Sequence, residues 1–143
     1  MGMRKSEILA IRREHGNLDA KSIYVPAAKA GARTQPVSAD LASFLTGYND
    51  TLPKGARWLF PLVGALHGYT VDVRKAFARA VTAAGLDPKQ VVRHTLRHTA
   101  ITHLVQAGVD LPTVKRISGH KTMAMVERYA HLAPYRGSDG QAR

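Results

Sequence analysis

The chain has no cysteine among its 143 residues. That excludes disulfides and thiolate metal sites and fits a reducing compartment. Acidic residues are scarce: 10 Asp and Glu stand against 21 Lys and Arg, a formal charge of +11 with neutral histidines. A chain this short of carboxylates is suited to a polyanion, nucleic acid above all. Long apolar runs are also missing. The longest, WLFPLVGAL over 58–66, is interrupted by Pro61 and falls far short of the roughly 20 residues that span a bilayer. The first twenty residues mix acids and bases with no apolar core of a signal peptide. These absences set the expectation of a soluble cytoplasmic protein, with neither a membrane nor a small-molecule substrate as partner.

What is present is a foldable chain. Hydrophobic residues make up 45%, enough for a globular core in one domain of this length. The stretch 3–15 reads as a short amphipathic helix and 15–21 as a turn. SIYVPAA (22–28) and RTQPVS (33–38) read as a hairpin across 29–32, with Pro26 and Pro36 pushing both strands toward a sheet edge. Ser38 is placed to cap a helix carrying Leu41, Phe44 and Leu45 that ends near Gly47. Residues 49–56 read as a loop and 57–60 as a possible third strand. From about Thr70 the pattern turns helical, with Val73, Phe77, Val81 and Ala84 before Gly85, then 93–108, then 109–119 opened by Asp110 and Pro112, then 122–132 capped by Thr122. The expected class is α+β: mainly helical, with a small antiparallel sheet near the N-terminus.

The unusual chemistry lies in RHTLRHTAITHL (93–104), which holds three histidines and two arginines. On a helix His94, Arg97 and His98 share one face. Two histidines at i and i+4 suit zinc, but the glutamate of an HExxH site is missing and an arginine would stand beside the cation. A guanidinium, by contrast, matches two phosphate oxygens with a planar fork, and an imidazole beside it can donate a hydrogen bond or move a proton near neutrality. The plainer reading makes His98 a buried, hydrogen-bonded core histidine, with His103 and His131 alike. Further on, Gly119 closes a helix, His120 follows, and Tyr129 comes nine residues after that on the stripe of Val126. Tyr129 can be a core tyrosine. A tyrosine nucleophile needs help, since a phenol of pKa near 10 is only about 0.1% ionised at pH 7.

HTLRHT, GVDLPTVKRISGH and ERYAHL together resemble the C-terminal catalytic region of the tyrosine recombinases, the phage integrase family. The family pattern is His-x-x-Arg, then Gly-His, then Tyr nine residues later. GMRKSEILAI (2–11) is similar to the family's first arginine box and makes Arg4 its arginine. VPAAKAGARTQPVS (25–38) is similar to the β-hairpin whose turn carries the catalytic lysine, which makes that residue Lys29.

The resemblance implies cleavage and rejoining of double-stranded DNA through a 3′-phosphotyrosyl bond. Tyr129 is the implied nucleophile. Arg4, Arg97 and His120 would hold the scissile phosphate, Lys29 would protonate the leaving 5′-oxygen, and His94 would support proton transfer from Tyr129. It also implies no metal or other cofactor, a tetramer on DNA for a full-length member, and association with the nucleoid when bound. Residues 1–134 would form the catalytic domain, without the N-terminal core-binding domain that family members carry, and 135–143 a flexible tail. Some apolar surface would then be exposed. Ser118 stands where the family usually has leucine, a packing change expected to leave His120 untouched. The alternative is a DNA-binding remnant of the same fold that no longer cuts. A type IB topoisomerase-like relaxase and a helix-turn-helix regulator fit the residues less well, the latter because it leaves Arg4, Lys29 and Tyr129 unused.

Overall fold

A computed structural model describes residues 2–26 and 31–134. Helix α1 (Lys5–Leu9) is followed by a short 3₁₀ turn over Arg13–His15, then strands β1 (Gly16–Asn17), β2 (Ser22–Val25) and β3 (Arg33–Pro36). Helices α2 (Ala39–Asp50), α3 (Arg74–Ala83), α4 (Arg93–Gln106), α5 (Leu111–Ser118) and α6 (Ala124–Glu127) come next, with a last 3₁₀ turn at Ala130–Leu132. The architecture is the expected one, a small antiparallel sheet followed by helices. Among the described residues no helix is long and apolar enough to cross a membrane.

The hairpin pairs as read, Ile23 opposite Gln35 and Val25 opposite Arg33. β2 is nevertheless the central strand, because β1 pairs with it on the other side through Gly16 and Asn17. Pro26 lies just past the paired residues, so it breaks no ladder bond. The third strand is therefore β1 and not 57–60, which makes only a single bridge between Trp58 and Arg12. The first helix is shorter than its pattern, since at Ile11 the chain turns extended to accept a bond from Leu59 N–H at 2.9 Å.

Ser38 does cap α2, its hydroxyl accepting from Leu41 N–H at 3.3 Å. The helix runs through Gly47 to Asp50, because the next turn stacks Tyr48 on Phe44 and against Phe60. Thr122 caps nothing; the last helix begins at Ala124 and breaks after Glu127. Tyr129 N–H bonds back three residues to Val126 at 2.9 Å, the tighter 3₁₀ spacing.

Two cores result. One joins Met3, Ile11, Ile23, Val25, Val37, Ala42, Leu45 and Leu59 under the sheet. The other joins Ile101, Val105, Val114, Val126 and Tyr129 among α4, α5 and the last segment. Apolar groups left outside include Leu96, Val63 and Leu66.

Candidate active site

The site lies between the two cores. Along α4 the buried stripe is Arg97, Ile101 and Val105, the i, i+4, i+8 face of a helix. Arg97 heads that stripe and is only 7% exposed. Its Nη1 donates to the carbonyl of Gly2, and its Nη2 stands 3.1 Å from His120 Nε2. Arg4 caps α1, its Nη1 donating to Glu7 Oε1 at 3.2 Å and to the Gly119 carbonyl at 2.9 Å. Helix α5 delivers His120. Asp110 opens it by accepting from Thr113 N–H at 2.9 Å, and Gly119 closes it with a left-handed φ of +66°. A side chain at Gly119 would also lie 2.8 Å from the Arg33 guanidinium carbon, so glycine is required there twice over.

Arg4, Arg97, His120 and Tyr129 thus line one cleft of about 400 Å³, together with His94, His98, Lys121, Met125 and Arg128. Its described lining includes no carboxylate. Burial, then Arg97 and Arg4, hold the His120 imidazole down at about 4, so the ring is neutral near pH 7. Burial, with Arg4 beside it, also lowers the Arg97 guanidinium, which nonetheless stays a cation. Cations in excess of their counter-charges favour an anionic ligand. The nearest acid, Glu7, pairs with Arg4 from behind the cleft and is not part of its lining. Burial alone would raise its carboxyl, but hydrogen bonds from Arg33 and Arg4 outweigh this and leave it below the ordinary range. Arg33 Nη2 reaches Glu7 Oε2 at 2.8 Å.

Three expectations change. Ser118 is not a mere packing change. Fully buried, it sits 2.7 Å from His120 Nδ1 and donates to the Val114 carbonyl at 2.6 Å. His98 is not a buried core histidine. It is exposed, beside the buried stripe, and its Nδ1 is hydrogen-bonded to Tyr129 Oη. His103 and His131 are exposed as well, because neither falls on a buried stripe. His94 lines the cleft and meets His98 edge-on at 5.4 Å between ring centroids, but among the described residues no hydrogen bond joins it to Tyr129. Lys29 and the tail 135–143 lie outside the described residues. Reading the sequence missed Glu7, Arg33 and Ser118 as supports. Glu7 carried a signal, an acid on a short apolar helix, whereas Arg33 carried none.

A cation-lined cleft with a tyrosine in its wall suits a phosphate group. The chain belongs to the phage integrase family, whose sequence pattern matches residues 1–136. It is 33% identical over 140 residues to the tyrosine recombinase XerD of Caulobacter vibrioides, covering 92% of this chain and 46% of that protein. The catalytic domain of bacteriophage HP1 integrase superposes with a TM-score of 0.66 at 32% identity, covering 93% of this chain and 69% of that one. The Tn1549 transposon integrase, solved in complex with transposon right end DNA, shares the fold with a TM-score of 0.75 at 20% identity, over 96% of this chain and 52% of that one. The chain spans about half the length of the curated relatives it matches.

Proposed function

We propose that this chain is the catalytic part of a site-specific DNA recombinase. The observation that carries this reading is the convergence of Arg4, Arg97, His120 and Tyr129 on one cleft whose described lining includes no carboxylate. Tyr129 Oη attacks a scissile phosphorus, the P–O5′ bond breaks, and a 3′-phosphotyrosyl ester and a free 5′-hydroxyl result. Arg4 and Arg97 hold the non-bridging oxygens as charge builds in the pentacoordinate transition state, and His120 joins them once the anionic phosphate has drawn a proton onto its Nε2. Lys29, assigned by resemblance to the family, gives the leaving 5′-oxygen its proton. His94, assigned by resemblance to the family, supports the transfer of the Tyr129 proton. A 5′-hydroxyl of a second strand then attacks the phosphotyrosine, the P–Oη bond breaks, and Tyr129 regains a proton. One ester replaces another throughout, so the exchange consumes no nucleotide triphosphate.

The partner is double-stranded DNA, and a full-length protein of this kind would work as a tetramer on it, associated with the nucleoid. Covalent capture tests the activity. Nicked duplexes tiled across the DNA flanking the gene release a short fragment on cleavage and so prevent religation. A slow-migrating protein–DNA band from the parent and not from Tyr129→Phe supports the reading. DNA bound by both proteins with no covalent band would favour a DNA-binding remnant, and a band surviving in Tyr129→Phe would reject Tyr129.

A further inference from the structure

We propose that His98, and not His94, is the group that takes the proton of Tyr129 as it attacks, which makes His98 a further catalytic residue. This rests on the recombinase reading of the cleft. Among the described residues, His98 Nδ1 is the one hydrogen-bond partner of Tyr129 Oη. A phenol ordinarily keeps its proton at neutral pH, so attack on phosphorus requires an acceptor in contact with the oxygen. His98 meets that requirement in its Nε2–H tautomer, where Nδ1 offers a lone pair. In the other tautomer Nδ1 would donate, and the phenol proton would have no acceptor among the described residues.

The contact is fixed by packing and not by two free side chains. Tyr129 is buried with Ile101 and Val105 of α4, the helix that carries His98, so the core holds the phenol oxygen against the imidazole. The preceding residue, Arg97, points into the same cleft. Phosphate clamp and proton acceptor are therefore neighbours on one helix. His98 is exposed, so a proton gained at Nδ1 is balanced by loss of the Nε2 proton to solvent. In the forward step Oη–P forms, P–O5′ breaks, and the phenol proton moves to Nδ1. In religation P–Oη breaks, the Nδ1 proton returns to Tyr129, and Nε2 regains a proton from solvent. His94 packs edge-on against the His98 ring and acts on Tyr129 only through it.

Two readouts test this, one independent of DNA. With ¹⁵N-labelled histidine, NMR of the chain near pH 8 should show His98 with a bare Nδ1 and a protonated Nε2. The Nδ1 resonance should shift in Tyr129→Phe. A protonated Nδ1, or no response to Tyr129→Phe, overturns the proposal whether or not the chain cleaves DNA. The second readout is the rate of covalent capture on the nicked duplexes. His98→Asn keeps an acceptor atom near Nδ1 but cannot hold the proton, and should slow capture by about 100-fold or more. His94→Asn should slow it less than His98→Asn does. Added imidazole should partly restore His98→Gly and should not help His94→Gly. Capture by His98→Asn at the parent rate would also overturn the proposal. Failure of the parent to form any adduct counts against the recombinase reading instead, and the NMR result then decides the His98–Tyr129 geometry alone.

Discussion

At the scale of single residues, hydrogen bonding fixes the state of His120. A guanidinium only donates, so the 3.1 Å contact with Arg97 Nη2 makes Nε2 the acceptor. A neutral ring then carries its proton on Nδ1 and gives it to Ser118 Oγ, whose own proton goes to Val114. Ser118→Ala leaves that N–H without its acceptor. It should destabilise the chain by about 1–3 kcal/mol in denaturant titration, and the ¹⁵N spectrum of His120 should lose its single Nδ1–H form. The low pKa also has a consequence with a definite sign. Between about 4 and the ordinary value of 6.5 the unfolded histidine is protonated and the folded one is not. The unfolded state binds more protons, so stability falls as pH drops through that window. Glu7, held below its ordinary 4.5, adds a fall of the same sign at lower pH. Chemical denaturation from pH 7 to 4 should show the decline, and His120→Asn should flatten its upper part. Arg97→Lys keeps the charge but loses the fork, and covalent capture should slow by about 100-fold at saturating DNA.

At the scale of elements, α4 and the end of α5 carry the site. The stripe Arg97, Ile101, Val105 makes one face serve both as core and as clamp. Ile101→Ala should cost about 2–5 kcal/mol, read from the denaturant midpoint, because its fully buried side chain packs with Val114, Val126 and Tyr129. Gly119→Ala should cost about 1–2 kcal/mol for the left-handed backbone alone, and should also displace Arg33 from Glu7. These elements were legible in the sequence where their signals are local. Asp110, Pro112 and Gly119 mark both ends of α5, and the hairpin and the Ser38 cap follow from neighbouring residues. What stayed hidden depends on distant packing. Whether His94 or His98 meets Tyr129 is decided by how α4 rotates against the last segment, and a shared helical face cannot separate them. Arg33 meets Glu7 across 26 positions, and Ser118 looked like a packing change until His120 turned back onto it.

At the scale of the whole molecule, the proposed reading makes the +11 charge and the cleft between the two cores a DNA-binding surface with one reactive point. Binding to duplex DNA should weaken steeply and log-linearly as salt rises, in proportion to the phosphates neutralised. Fluorescence anisotropy across a salt series measures that slope, and a flat response would remove the electrostatic basis of the account. The curated relatives matched are about twice as long as this chain. On the proposed reading the chemistry converges on Tyr129. The most direct measurement is therefore to locate the covalent link. Protein captured on a nicked duplex is digested with nuclease and trypsin, and the adduct peptide is sequenced by mass spectrometry. A nucleotide joined through its 3′-phosphate to Tyr129 is the result predicted; attachment to any other residue would contradict it.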